Sequence, residues 1–115
     1  MKVLNNSCFR LVLVLSAILF AVSVSAAEEV WIDVRSIEEY NKEHLEGVVH
    51  IPHTEVADKI ASLNLEKNTP IRLHCRSGGR AGIAQKSLEK MGYTDVVNVG
   101  GMDDAKKLMA KSADK

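Results

Sequence analysis

Cysteine, proline and aromatic side chains are scarce in this chain. Of 115 residues two are cysteine, Cys8 and Cys75, two are proline, and 4% are aromatic. So few cysteines exclude a disulfide-stapled scaffold, and the core must be built from aliphatic side chains. The four histidines, His44, His50, His53 and His74, follow no zinc-ligand spacing, and the cysteines are too few for the usual structural sites, so no metal is expected. The formal net charge is +0, which gives no reason to expect nucleic acid or an anionic membrane as partner. There is no internal repeat, low-complexity segment or linker, and the length suits one domain.

One long apolar run is present, Leu11 to Val22. Lys2 and Arg10 precede it with no acidic residue, and Ser23, Val24, Ser25, Ala26 and Ala27 follow. A basic start, an apolar middle and a small-residue end make a secretory signal peptide. The run falls short of the roughly 20 residues a transmembrane helix needs. We expect residues 1–26 to be a leader, with cleavage after Ala26 or Ala27, and residues 27–115 to be the domain. The exported product then has no stable membrane association, and a monomer is the default. Removing Lys2 and Arg10 takes the formal charge from +0 to −2. It also removes Cys8 and leaves Cys75 as the one thiol, unable to form an internal disulfide.

The remainder alternates between strand and helix patterns. Val30 to Val34 reads as an apolar first strand. Ser36 and Glu39 form a capping-box pattern for a helix from Ile37 to about His44. Val48 to Ile51 is a short strand stopped by Pro52. Thr54 is placed to cap a helix whose apolar face is Val56, Ile60 and Leu63. Ile71 to His74 is the third strand, and a helix from about Arg80 to Met91 follows. Val96 to Val99 is the fourth strand, broken by Gly100 and Gly101. A last helix spans about Asp103 to Met109, and Lys111 to Lys115 should fray. Such alternation predicts an α/β fold: a parallel sheet with helices on both faces and ligands bound beyond the carboxyl ends of the strands.

Cys75 stands at that edge, between the third strand and a helix, in His74-Cys75-Arg76-Ser77-Gly78-Gly79-Arg80. Backbone N–H groups and the positive end of a helix favour a thiolate there. Three readings compete. An inert buried cysteine would sit in apolar surroundings, unlike this loop. A phosphatase or arsenate-reductase loop places five residues between cysteine and arginine. Here four separate Cys75 from Arg80, a tighter cradle that suits one sulfur atom on the cysteine. Sulfur transfer is the third reading, and the loop length favours it. Gly78 and Gly79 allow positive φ and close backbone approach. Asp33 and Arg35, two apart, share a face and read as a structural pair tying the first strand to a neighbouring loop. His74, next along a strand, should point away from the Cys75 side and be structural. Trp31 and Tyr93 read as packing.

Three blocks together resemble a single rhodanese (thiosulfate sulfurtransferase) domain. They are Asp33-Val34-Arg35 with Glu39-Tyr40, His44-Leu45-Glu46-Gly47-Val48 and Ile51-Pro52; the Cys75 loop; and Gly92-Tyr93 through Val96, Asn98, Val99, Gly100 and Gly101. With the export signal, the likeness is to the periplasmic single-domain group. Glu43 and Ala81 depart from the family pattern, where glycine and a hydroxyl residue are common. The resemblance implies a three-layer fold with four strands in the spatial order fourth, third, first, second. It implies a ping-pong reaction in which Cys75 takes the outer sulfur of thiosulfate as a persulfide and passes it to cyanide or a thiol. Arg76, Ser77, Gly78, Gly79 and Arg80 would bind substrate, with Arg80 on the sulfonate, Asp33 and Arg35 in support, and no metal or organic cofactor.

Overall fold

The apolar runs form four strands: β1 (Val30–Asp33), β2 (Val49–His50), β3 (Ile71–His74) and β4 (Val96–Gly100). In the computed structural model, which describes residues 28–113, all four are parallel and lie in the order β2-β1-β3-β4. This is the expected spatial order. The leader, its cleavage site and Cys8 fall outside the described residues. Between and after the strands come α1 (Ile37–Lys42), α2 (Val56–Lys59) with a 3-10 turn over Ile60–Leu63, α3 (Gly79–Lys90) and α4 (Met102–Ala113).

The step from β1 to β2 crosses the sheet one way, and the steps to β3 and β4 return the other way. Right-handed crossovers therefore put α1 on one face and α2 and α3 on the other. Side-chain alternation agrees. Ile32, Ile71, Leu73 and Val96 pack with Val56, Ile60, Ala84 and Leu88 in the main core. Trp31, Val97 and Val99 point oppositely and border a groove with Leu108 of α4. Layers on both faces cover the sheet, as its nearly continuous apolar strands require.

The strands keep to within a residue of expectation at each end, β4 taking in Gly100, and three helix boundaries differ. Thr54 caps nothing: the α2 N-cap is Glu55, without a side-chain cap bond. The Ile51 and His53 N–H groups bond to the Asp33 and Val34 carbonyls, and Glu55 N–H closes a turn onto the Pro52 carbonyl. That turn consumes Thr54 and delays the helix. α1 ends at Lys42, because Glu43 is already extended. α4 begins at Met102 and continues through Ala113, so Lys111 to Ala113 do not fray. Asp104 Oδ2 accepts the Gly101 N–H at 3.0 Å and starts the helix, while Leu108 and Ser112 border the Trp31 groove and hold its last turns on the sheet.

Candidate active site

The carboxyl ends of β1, β3 and β4 meet at one edge. Asp33 lies opposite both His50 and His74, and His74 opposite Gly100. The chain leaves β3 at Cys75, whose N–H donates to the Gly100 carbonyl at 3.0 Å. Four residues later it is helical. The sharp turn is possible because Gly78 takes φ +98°, a conformation that L side chains rarely adopt. Gly79 does not share it. It is the first residue of α3, and a Cβ there would meet nothing within 4 Å. Of the two glycines expected to shape the loop by positive φ, Gly78 alone does so.

Cys75 is fully buried, yet its surroundings are polar. The Gly78 N–H points at Sγ, 2.9 Å away. Burial alone would raise the thiol pKa, but the backbone N–H groups of Ala81, Ser77, Gly78 and Arg80 outweigh it, and the pKa lies below its ordinary value. The start of α3, a helix of 12 residues, adds its dipole in the same direction. The contribution of Ala81 was not foreseen. Its side chain lacks the hydroxyl common in similar loops, and a backbone N–H leaves no mark in a sequence.

The side chains around this loop are largely paired with one another. Arg80 donates to Glu39 Oε1 at 2.6 Å and to Oε2 at 3.0 Å. Both terminal nitrogens of its guanidinium are thus engaged within the chain. Glu39 also completes the capping box of α1 with Ser36, and the Arg80 hydrogen bonds hold its carboxyl down at about 2. Asp33 and Arg35 pair through three side-chain bonds of 2.7 to 3.0 Å. Burial works against the Asp33 carboxylate, but these bonds more than offset it and its pKa is lowered. Arg35 Nη2 donates on to the Glu43 carbonyl at 2.6 Å, tying the end of β1 to the loop after α1. His74 is fully buried, and neither ring nitrogen has a hydrogen-bond partner. Arg76 and Ser77 are exposed.

Beside the loop opens a cavity of about 320 Å³ lined by Arg35, Glu39, Lys42, Glu43, Arg76 and Met102. Behind the loop lies Gly101, where a Cβ would come within 2.6 Å of the Arg76 carbonyl oxygen. Lys42, Met102 and this packing of Gly101 were not singled out from sequence, since they meet the loop only once the sheet order is set. Among the described residues no group of three or more His, Cys, Asp or Glu side chains converges as a metal site would need.

The arrangement supplies a thiol whose ionised form is favoured by the amides around it, with cations at its border. Comparison with known proteins agrees with that chemistry. Residues 21–108 match the Rhodanese-like domain. The chain is 42% identical over 96 residues to the thiosulfate sulfurtransferase PspE of Escherichia coli, covering 84% of this chain and 91% of that protein. It is 46% identical over 74 residues to the putative sulfur carrier protein YrkF of Bacillus subtilis, covering 64% of this chain and 39% of that one. A solved structure described as a rhodanese with anions from E. coli superposes with a TM-score of 0.64 at 43% identity, over 67% of this chain and 91% of the other.

Proposed function

The chain belongs to the rhodanese-like family and is a thiosulfate sulfurtransferase, and from that premise we propose that Cys75 carries the sulfur as a persulfide. The Cys75 thiolate attacks the outer sulfur of thiosulfate. A new S–S bond forms, the bond to the sulfonate sulfur breaks, and sulfite leaves with its electron pair. The persulfide anion then gives up its outer sulfur to cyanide or to a thiolate, and the Cys75 thiolate returns. Electrons and sulfur atoms balance without an outside oxidant or reductant, so no organic cofactor or metal enters the scheme.

The observation that carries this reading is the set of backbone N–H groups around Sγ, led by Gly78 at 2.9 Å. Fixed dipoles aimed at a developing anion stabilise it without reorganising. Here they serve the thiolate first and the persulfide next. Ser77 gives the sulfur its backbone N–H, while its side chain is exposed. Arg80 acts through its charge while Glu39 holds it, leaving Arg76 as the loop arginine open to substrate. Asp33 and Arg35 brace the edge from which the loop springs.

The test is thiocyanate formation from thiosulfate and cyanide by the protein and by Cys75→Ser. The parent should turn over and the variant should not. Equal rates would overturn the role of Cys75. Intact mass after thiosulfate alone should show one added sulfur on the parent and none on the variant. Persulfide formation with little turnover would instead favour a carrier, the role named for the B. subtilis relative. Residues 1–26 belong to the same proposal as a leader that delivers the protein to the periplasm, where it works as a monomer. Among the described residues no helix is long and apolar enough to cross a membrane. N-terminal sequencing of the periplasmic protein should begin at Ala27 or Glu28.

A further inference from the structure

The cavity beside the cysteine loop is lined by five charged residues, and their charges are not equally available. Arg35 is held by Asp33 and by the Glu43 carbonyl. Glu39 is held by Arg80 and Ser36. Lys42, Glu43 and Arg76 remain, all exposed, with no ion pair or side-chain hydrogen bond among the described residues. Two free cations against one free carboxylate leave the cavity positive. They also stand on different elements. Arg76 follows Cys75 directly, whereas Lys42 is the last residue of α1.

We infer that Lys42 and Arg76 form a docking pair for anionic substrates, and that Lys42 is a specificity-determining residue outside the cysteine loop. The ligand class is a small sulfur compound with negative charge: thiosulfate as donor, and as acceptor a thiol bearing a carboxylate in preference to one bearing an amine. This inference rests on the sulfur-transfer reading above. It follows from the cavity lining and from the engagement of Arg80 by Glu39, which leaves the sulfonate to other cations. Met102 supplies the apolar part of the lining, suited to the short carbon chain of such a thiol. Exposed charges act weakly and are screened by salt, so the effect belongs to recognition.

The experiment is steady-state kinetics of the parent, Lys42→Met, Lys42→Glu and Lys42→Arg. Lys90→Met is the control. It removes the same charge from the far end of α3, about 17 Å along the helix from the loop. With thiosulfate and cyanide at low salt, KM for thiosulfate should rise roughly three- to five-fold in Lys42→Met, the size expected of one exposed charge. It should rise further in Lys42→Glu, return in Lys42→Arg and stay put in Lys90→Met. High salt should erase most of the difference. With saturating thiosulfate, the parent should prefer mercaptopropionate over mercaptoethanol and mercaptoethanol over cysteamine, and Lys42→Met should narrow that order. Unchanged KM and unchanged acceptor order in both Lys42→Met and Lys42→Glu would overturn the inference. A parent that gains no sulfur from thiosulfate by mass would overturn the sulfur-transfer reading instead.

Discussion

Arg80 closes on Glu39 with two hydrogen bonds, 2.6 and 3.0 Å, across 41 positions of sequence. The pair fastens the first turn of α3, where the sulfur is held, to α1 on the opposite face of the sheet. It also fixes where positive charge is offered to a ligand. A guanidinium gripped at both ends by a carboxylate is a poor anion ligand, but its charge still stands near the thiolate.

Glu39→Gln should therefore loosen the loop as well as cost stability. A partly buried bidentate pair is worth about 1 kcal/mol. The Glu39 pKa is near 2 in the folded chain against an ordinary 4.5. A carboxyl lowered on folding stabilises above its unfolded pKa and loses that contribution as pH falls. The gap in urea-unfolding stability between parent and Glu39→Gln should hold at pH 7 and shrink from pH 4.5 toward pH 2. A gap that does not change over that range would show that the ion pair contributes nothing.

Gly101 should tolerate no side chain. Its Cβ would lie 2.6 Å from the Arg76 backbone carbonyl, and a carbonyl in a tight loop cannot swing aside as a flexible side chain can. Gly101→Ala must displace the loop, with an expected loss of about 1–3 kcal/mol and a kcat/KM for thiosulfate lowered at least about ten-fold, as misplacing reacting groups does. Gly79→Ala makes the contrast. With open space and an ordinary φ there, it should match or raise the parent Tm. Thermal unfolding of the two variants beside the parent decides the matter. A Gly101→Ala protein with parental Tm and kcat/KM would refute it.

The amides around Cys75 predict an early ionisation. The ordinary value for a cysteine thiol is 9.0, and the direction here is downward in spite of burial. Thiolate ultraviolet absorbance, read as the difference between parent and Cys75→Ser, should have its midpoint below that value. Arg80→Met should move the midpoint up, because a nearby positive charge is lost. A parental midpoint at or above that of free cysteine would mean that desolvation wins over the amides.

Local pattern carried the strands, their parallel direction and the cysteine loop, and the family resemblance carried their spatial order. Ile71 to His74 followed by a glycine turn and a helical repeat is information contained in neighbouring residues. What escaped was everything made by closure of the sheet. Glu39 reads as a capping residue for Ser36, which it is, and nothing near it in the chain announces Arg80. Gly100 and Gly101 read as strand breakers, whereas their placement is set by Arg76 and Asp104. Thr54 had the right chemistry for a cap and lost to a turn fixed by hydrogen bonds to β1.

His74 offers the clearest test of how the buried edge is balanced. It sits beside Cys75 with no exposed surface and no hydrogen-bond partner for either nitrogen. Burial pushes its pKa below the ordinary 6.5. The Asp33 carboxylate and the adjacent Cys75 backbone pull it up, and Arg35 pushes it down again, with burial the largest influence. The folded chain thus keeps the ring neutral at a pH where the unfolded chain takes up a proton. Stability should fall as pH drops below 6.5, before the carboxyl groups titrate. His74→Leu, of similar volume and without polar atoms, removes both the proton site and the unpartnered nitrogens. It should unfold with a flatter stability profile between pH 6.5 and 5. At pH 7 it should be as stable as the parent or about 1 kcal/mol better, since replacing an unpaired polar group by an apolar one of the same shape loses nothing. Parallel profiles for the two proteins would mean that the ring is already balanced by Asp33, and a large loss at pH 7 would mean that its nitrogens hold the edge together after all.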